Sequence, residues 1–179
     1  MLDVGAGSGE LLRVAARWAR ETDRRASFVG LELNARSARA ILDESSRYPE
    51  IASLRGNGFR LPFVNDQFDF VIQSLTLHHF DDAGAVGILR EMARVARRGI
   101  AVIDLERSAT SYYFYTTVAR LFLHNRLIRE DGALSILKSF TPAELEALGK
   151  QAGLDHMKVE KHFPGRLILS TIRAGHNTD

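Results

Sequence analysis

Three glycines at alternate positions, Gly5, Gly7 and Gly9, follow a short apolar run that carries one acid, Leu2-Asp3-Val4. Glycine lets a ligand lie against the backbone, and a strand-to-helix turn offers free N–H groups and the positive end of a helix. The spacing decides which ligand. Dinucleotide loops follow G-x-G-x-x-G, whose third glycine permits close packing of helix on strand. Here that position is Glu10, and a carboxylate sits badly beside a pyrophosphate. No Lys-Ser or Lys-Thr follows, so a Walker phosphate loop is excluded as well. A second acid, Glu32, stands near the end of the next apolar run, 27–33, placed to accept from both hydroxyls of a ribose. Two carboxylates beside a glycine loop suit a nucleoside that carries ammonium and sulfonium charge.

Two further clusters could do chemistry. His78 and His79 follow the apolar run 68–74. A single histidine there is read as satisfied by backbone; of the pair, at least one is expected to face a pocket and serve as a base. Tyr112, Tyr113 and Phe114 open an aromatic-rich stretch, 108–128. Two readings of it stay open: the lining of a pocket for a flat or lipophilic acceptor, or simple packing onto the domain. Within it, ARLFLHNRLIR could rest weakly on a membrane surface.

The elements that position these residues alternate. Leu2–Val4, 27–33, 51–56, 68–74 and 100–105 read as strands. Between them, ELLRVAARWARE places Leu11, Ala15 and Trp18 on one helical face, Asn34 caps a helix carrying Ala38, Ile41 and Leu42, and Asp81 or Asp82 caps one carrying Val86, Leu89, Ala93 and Ala96. Arg97, Arg98 and Gly99 are read as ending that last helix. This rhythm predicts an α/β fold, a mostly parallel sheet with helices on both faces. Thr141-Pro142-Ala143-Glu144 is a capping box, and 155–163 with 166–173 form an antiparallel hairpin around Pro164-Gly165. The expectation is one domain over 1–174 with a substrate-side insertion at about 108–140, and a disordered tail at 175–179.

Composition narrows the function. The chain has 179 residues and a formal net charge of only +2. Its arginines are spread along it, so nucleic acid is not an expected partner. With no cysteine there is no thiolate metal site and no cysteine nucleophile, and no metal is expected. No apolar run is long enough for a transmembrane segment. With no signal-like opening, a cytoplasmic location is expected.

LDVGAGSG, GLEL, the stretch GNGFRLPFVNDQFDFVIQSLTLHHF and the helix EMARVARRG resemble the class I S-adenosylmethionine-dependent methyltransferases, the ubiquinone/menaquinone-biosynthesis type in particular. The resemblance covers nearly the whole chain. It implies a Rossmann-like, doubly wound, seven-stranded sheet of order 3-2-1-4-5-7-6 with strand 7 antiparallel, and S-adenosyl-L-methionine as cofactor. It also implies roles. Asp3, Gly5, Gly7 and Gly9 match the loop around the methionine part, Glu32 the ribose acid and Leu33 the apolar neighbour of the adenine. Asn57 stands where an aspartate is usual near the adenine amino group, Gly58 offers its N–H beside it, and Gln73 and Ser74 match the wall beneath the sulfonium methyl.

For the acceptor, 68–80 lacks the Asn/Asp-Pro-Pro-aromatic signature of base-amino methylation and the paired glutamates that hold a guanidinium. The absence of cysteine excludes the usual cytosine C5 route. A small molecule remains, a hydrophobic phenol or quinol. The rival reading is a non-catalytic or incomplete cofactor-fold protein that binds weakly or serves as an interaction module. It draws on the short first strand, Leu2–Val4. The expectation is that Met1 lies inside a longer reading frame, or that a partner copy in a homo-oligomer supplies missing cover.

Overall fold

A computed structural model of the chain describes residues 1–122 and 126–172, with the side chains of 119–129 outside that description. Seven strands form one sheet of order β3-β2-β1-β4-β5-β7-β6. They are β1 (Leu2–Val4), β2 (Phe28–Glu32), β3 (Ile51–Arg55), β4 (Phe68–Ser74), β5 (Ala96–Leu105), β6 (Lys158–His162) and β7 (Arg166–Ile172). All neighbours run parallel except β7, which is antiparallel to both β5 and β6. The order implied by the resemblance is the order found, with a three-residue β1 at its centre.

Helices α1 (Glu10–Glu21) and α2 (Ala35–Glu44) cover one face over β1 to β3, and α3 (Asp82–Val95) and α6 (Pro142–Gln151) cover the other. α4 (Ala109–Phe122) and α5 (Arg126–Lys138) stand at the C-terminal edge of β5. Two cores result. The larger joins Leu2, Val4, Val71 and Val102 of the sheet to Leu89, Met92, Leu145 and Leu148 of α3 and α6. The smaller joins Leu12, Ala16 and Ile41 to Phe28 and Ile51. Local signals set the helix starts. The Asn34 side chain accepts from Arg36 N–H, Asp81 accepts from Gly84 N–H, and Thr141 and Glu144 close a reciprocal capping box.

Three sequence expectations are corrected. The buried face of α1 is Leu12, Ala16 and Ala19, one position round from Leu11, Ala15 and Trp18; Trp18 is 56% exposed with the Arg24 guanidinium over its ring. Both stripes are apolar in this sequence, and contact with the sheet selects the one of smaller residues, which lets the helix approach closely. α3 ends at Val95, and Ala96 through Gly99 already belong to β5. Gly99 is therefore a strand glycine and not a helix stop: a Cβ there would collide with the Thr171 carbonyl of β7. The hairpin begins later than expected, at Lys158, because Gly153 and His156 take positive φ (78° and 56°) and turn the chain first. Residues 173–179, including the expected tail, lie outside the described residues.

Candidate functional site

The turn from β1 into α1 gives the site its shape. Gly5, Gly7 and Gly9 have φ of 78°, 57° and 81°, a left-handed region that costs residues with a Cβ of the order of 1 kcal/mol or more each. Alternation with Ala6 and Ser8 curls the backbone, so that Gly7 N–H donates to Glu32 Oε1 at 2.6 Å and Gly5 N–H to the Leu31 carbonyl at 2.8 Å. Gly5 also lies against Thr76: a Cβ there would come within 3.0 Å of its Oγ1. The loop is thereby tied to the ends of β2 and β4.

A cleft of about 640 Å³ opens above these strand ends. Asp3, Gly5 to Ser8, Glu10, Leu11, Val14 and Glu32 line one side, and Ser74, Leu75, Thr76, His79 and Ile103 the other. Asp3 is 2% exposed, and its Oδ1 is buried with no hydrogen-bond partner. Burial, and then the nearby charge of Glu32, push its pKa up to about 7. A buried carboxylate oxygen left without a donor is costly, and a ligand ammonium is the group that would satisfy it. The cleft thus fits a cationic nucleoside and repels a pyrophosphate.

The two histidines have opposite fates. Leu75 takes φ 53°, rare for a residue with a branched side chain, and starts a 3-10 turn over Leu77–His79. That turn sends His78 inward and His79 to the cleft. His78 is buried, with Nδ1 2.6 Å from Asp104 Oδ1, and its backbone N–H donates to Asp104 Oδ2 at 3.0 Å. Leu105 N–H donates to the same carboxylate at 2.7 Å. The His79 ring lies against that of His78, with centroids 4.2 Å apart and planes tilted by 45°. Its pKa is lowered by burial first and by His78 second.

Of the residues singled out in the sequence, the structure brings Asp3, Gly5, Gly7, Glu32, Ser74 and His79 to this cleft. Gly9 caps α1 and packs on Ile41. Leu33, Asn57 and Gly58 lie beyond the ends of β2 and β3 and do not line the cleft; Leu33 is exposed, and Asn57 Oδ1 accepts from Phe59 N–H. Gln73 is fully buried on the opposite face of the sheet from Ser74, with Oε1 unpartnered. Tyr112, Tyr113 and Phe114 sit on α4 away from the cleft. Tyr113 is exposed, and Phe114 faces a second cavity. Sequence reasoning missed Asp104, Thr76, Ile103 and the strained Leu75, none of which carries a periodicity or spacing signal. Among the described residues there is no cluster of side chains that could hold a metal ion, and no helix is long and apolar enough to cross a membrane.

Residues 2–103 match the family described as a methyltransferase domain. The chain is 30% identical over 184 aligned positions to a 2-phytyl-1,4-naphthoquinone methyltransferase of Thermosynechococcus vestitus, covering 96% of this chain and 78% of that one. It is 28% identical to a demethylmenaquinone methyltransferase of Bacillus licheniformis, covering 88% and 71%. A solved S-adenosylmethionine-dependent methyltransferase from Aquifex aeolicus superposes with a TM-score of 0.68 over 96% of this chain and 80% of that one; at 15% identity it speaks for the fold alone. The chain belongs to this methyltransferase family. It is an enzyme of the S-adenosylmethionine-dependent class.

Proposed function

We propose that the chain transfers the methyl group of S-adenosylmethionine to a ring carbon or oxygen of a lipophilic quinol or phenol in the cytoplasm. The observation that carries this is the polarity of the cleft. Asp3 and Glu32 face one side, and His79 is the only basic side chain lining the other, among the described residues, beside Leu75 and Ile103. The two quinone-methylating relatives support the acceptor class.

When bound, the cofactor supplies an electrophilic methyl carbon. The residues of the chain do the rest. Asp3 holds the amino end through its unpartnered oxygen, and Glu32, already fixed by Gly7 N–H, accepts from the ribose. The adenine would reach past Glu32, out of the cleft, toward Leu33, Asn57 and Gly58 beyond the ends of β2 and β3. Ser74 and Thr76 floor the reacting centre and, with Leu75, keep water from it. His79 would take the acceptor hydroxyl proton, which makes its oxygen or ring carbon the nucleophile; for transfer to carbon, the ring C–H proton then leaves and the oxygen is reprotonated. The lowered pKa of His79 keeps the imidazole neutral, the form a base needs.

The test is incubation of the purified protein with S-adenosylmethionine and a chemically reduced naphthoquinone, followed by mass spectrometry. The expected product is the quinol heavier by one methylene unit. Cofactor binding with no transfer to any quinol or phenol would overturn the acceptor class.

A further inference from the structure

β5 continues past the cofactor cleft. Ile103 lines the cleft, while Leu105, on the same face of the strand about 7 Å further on, lines a second cavity of about 200 Å³. That cavity lies between α4, α5 and the turn joining β6 to β7. Its walls are mostly the apolar parts of Leu105, Phe114, Tyr115, Ile136 and Pro164, with Ser111 and Arg166 also on the lining. Gly132 matters to its shape. Glycine inside a helix costs stability, yet a Cβ at this position of α5 would collide with the Tyr115 ring that forms one wall. A wider recess of about 400 Å³ shares Ser111, Phe114, Pro164 and Gly165 with it and opens at the hairpin tip. There Phe163 is 87% exposed and meets the Phe114 ring edge-on at 5.9 Å. One exposed phenylalanine needs no explanation; a largely apolar cavity beneath it, lined from the same face of β5 as the reaction cleft, does.

We propose that the Leu105–Ile136 slot is a subsite for the hydrocarbon tail of the acceptor, entered past Phe163. The inference rests on the lipophilic-quinol reading above and adds where the tail lies. A ring seated between His79 and Ile103 has the slot one strand step away. A tail leaving it passes Leu105 and Tyr115 and reaches the surface at Phe114 and Phe163. Specificity for tailed acceptors then comes from apolar burial, which grows with each methylene placed in the slot.

Two probes test this: 1,4-naphthoquinone, and 1,4-naphthoquinone with a ten-carbon chain on one quinone-ring carbon, both of which keep a quinone-ring C–H free to be methylated. Calorimetry should show the tailed probe binding at least tenfold tighter. After reduction, its KM as acceptor should be lower by a similar factor. Leu105→Trp and Ile136→Phe, which fill the slot, should collapse the ratio of the two KM values, with the melting temperature as a check on folding. Phe163→Ser, at an exposed position with little folding cost, should narrow the same ratio. Equal binding of both probes, or filling variants that change both KM values alike, would overturn the slot. If the tailed probe binds tighter but neither quinol is methylated, the slot stands and the acceptor reading fails. If both are methylated at equal KM, the acceptor reading stands and the slot fails.

Discussion

On the β1–β2 side of the cleft, the polar groups are the backbone of one glycine turn, the carboxylates of Asp3 and Glu10 beside it, and Glu32, which Gly7 N–H ties to that turn from the end of β2. On the β4–β5 side the lining is side chains from segments as far apart as Ser74 and Ile103, with the tail slot adding Phe114, Ile136 and Phe163. The first side is fixed by φ values that only glycine adopts readily, so its geometry is a property of the local chain. The second depends on a strained Leu75, a 3-10 turn and a buried His78–Asp104 pair. A local loop of this kind can hold one cofactor with little change of sequence. A wall assembled from distant side chains can be remade for each acceptor without disturbing that loop.

The largest effect that separates the two sides is expected from His79→Ala. Loss of a general base typically costs 10²-fold or more, so we expect kcat to fall by roughly 10²-fold with cofactor affinity retained, and partial rescue at higher pH. Because the His79 pKa lies below its ordinary value of 6.5, activity of the wild type should fall only as the pH drops below that value. Full activity of the variant would assign catalysis to positioning alone and erase the chemical difference between the two sides.

Glu32→Ala is the converse experiment. It removes the anchor of Gly7 N–H together with the expected ribose acceptor. Hydrogen bonds to charged groups contribute about 1.5–3 kcal/mol, and we expect cofactor affinity, measured by calorimetry, to weaken by about 1–3 kcal/mol. An unchanged affinity would remove Glu32 from the site.

The same contrast explains what could be seen in the sequence. The strand order, the glycine turn, Asp3 and Glu32 were legible because each is a short-range pattern or part of an ordered set of motifs. The opposite fates of His78 and His79 were not. They depend on where the chain turns after Ser74, and Leu75 at φ 53° has no composition that announces it. Asp104 was invisible for a similar reason: an acid near the end of a strand looks exposed until its neighbours arrive, and here it is buried under three hydrogen bonds. The α1 face was misplaced by one residue because Leu11 and Trp18 form a stripe as apolar as Leu12 and Ala16. Only contact with β2 and β3 decides between them.

The smallest effect is a pH dependence carried by Asp3. Its pKa of about 7, against an ordinary 3.8, means that the ligand-free cleft holds the acid partly protonated at neutral pH. For folding, the sign is that of a raised carboxyl: the unfolded chain ionises freely above 3.8 while the folded one resists, so this group's contribution to stability declines as pH rises from about 4 to 7. For binding the sign is opposite. A ligand ammonium against Asp3 favours the carboxylate, lowers its pKa in the complex and drives a proton off on binding. Cofactor affinity should therefore be flat above pH 7.5 and fall by about fivefold from pH 7 to pH 6, as expected for one group whose pKa of about 7 is lowered in the complex. Calorimetry in two buffers of different ionisation enthalpy measures the released proton directly, with roughly half a proton expected at pH 7. Asp3→Asn should abolish both the release and the slope. Persistence of either in that variant would move the titration to another group, and the acidic side of the cleft would then hold its ligand through Glu32 and the glycine turn without Asp3.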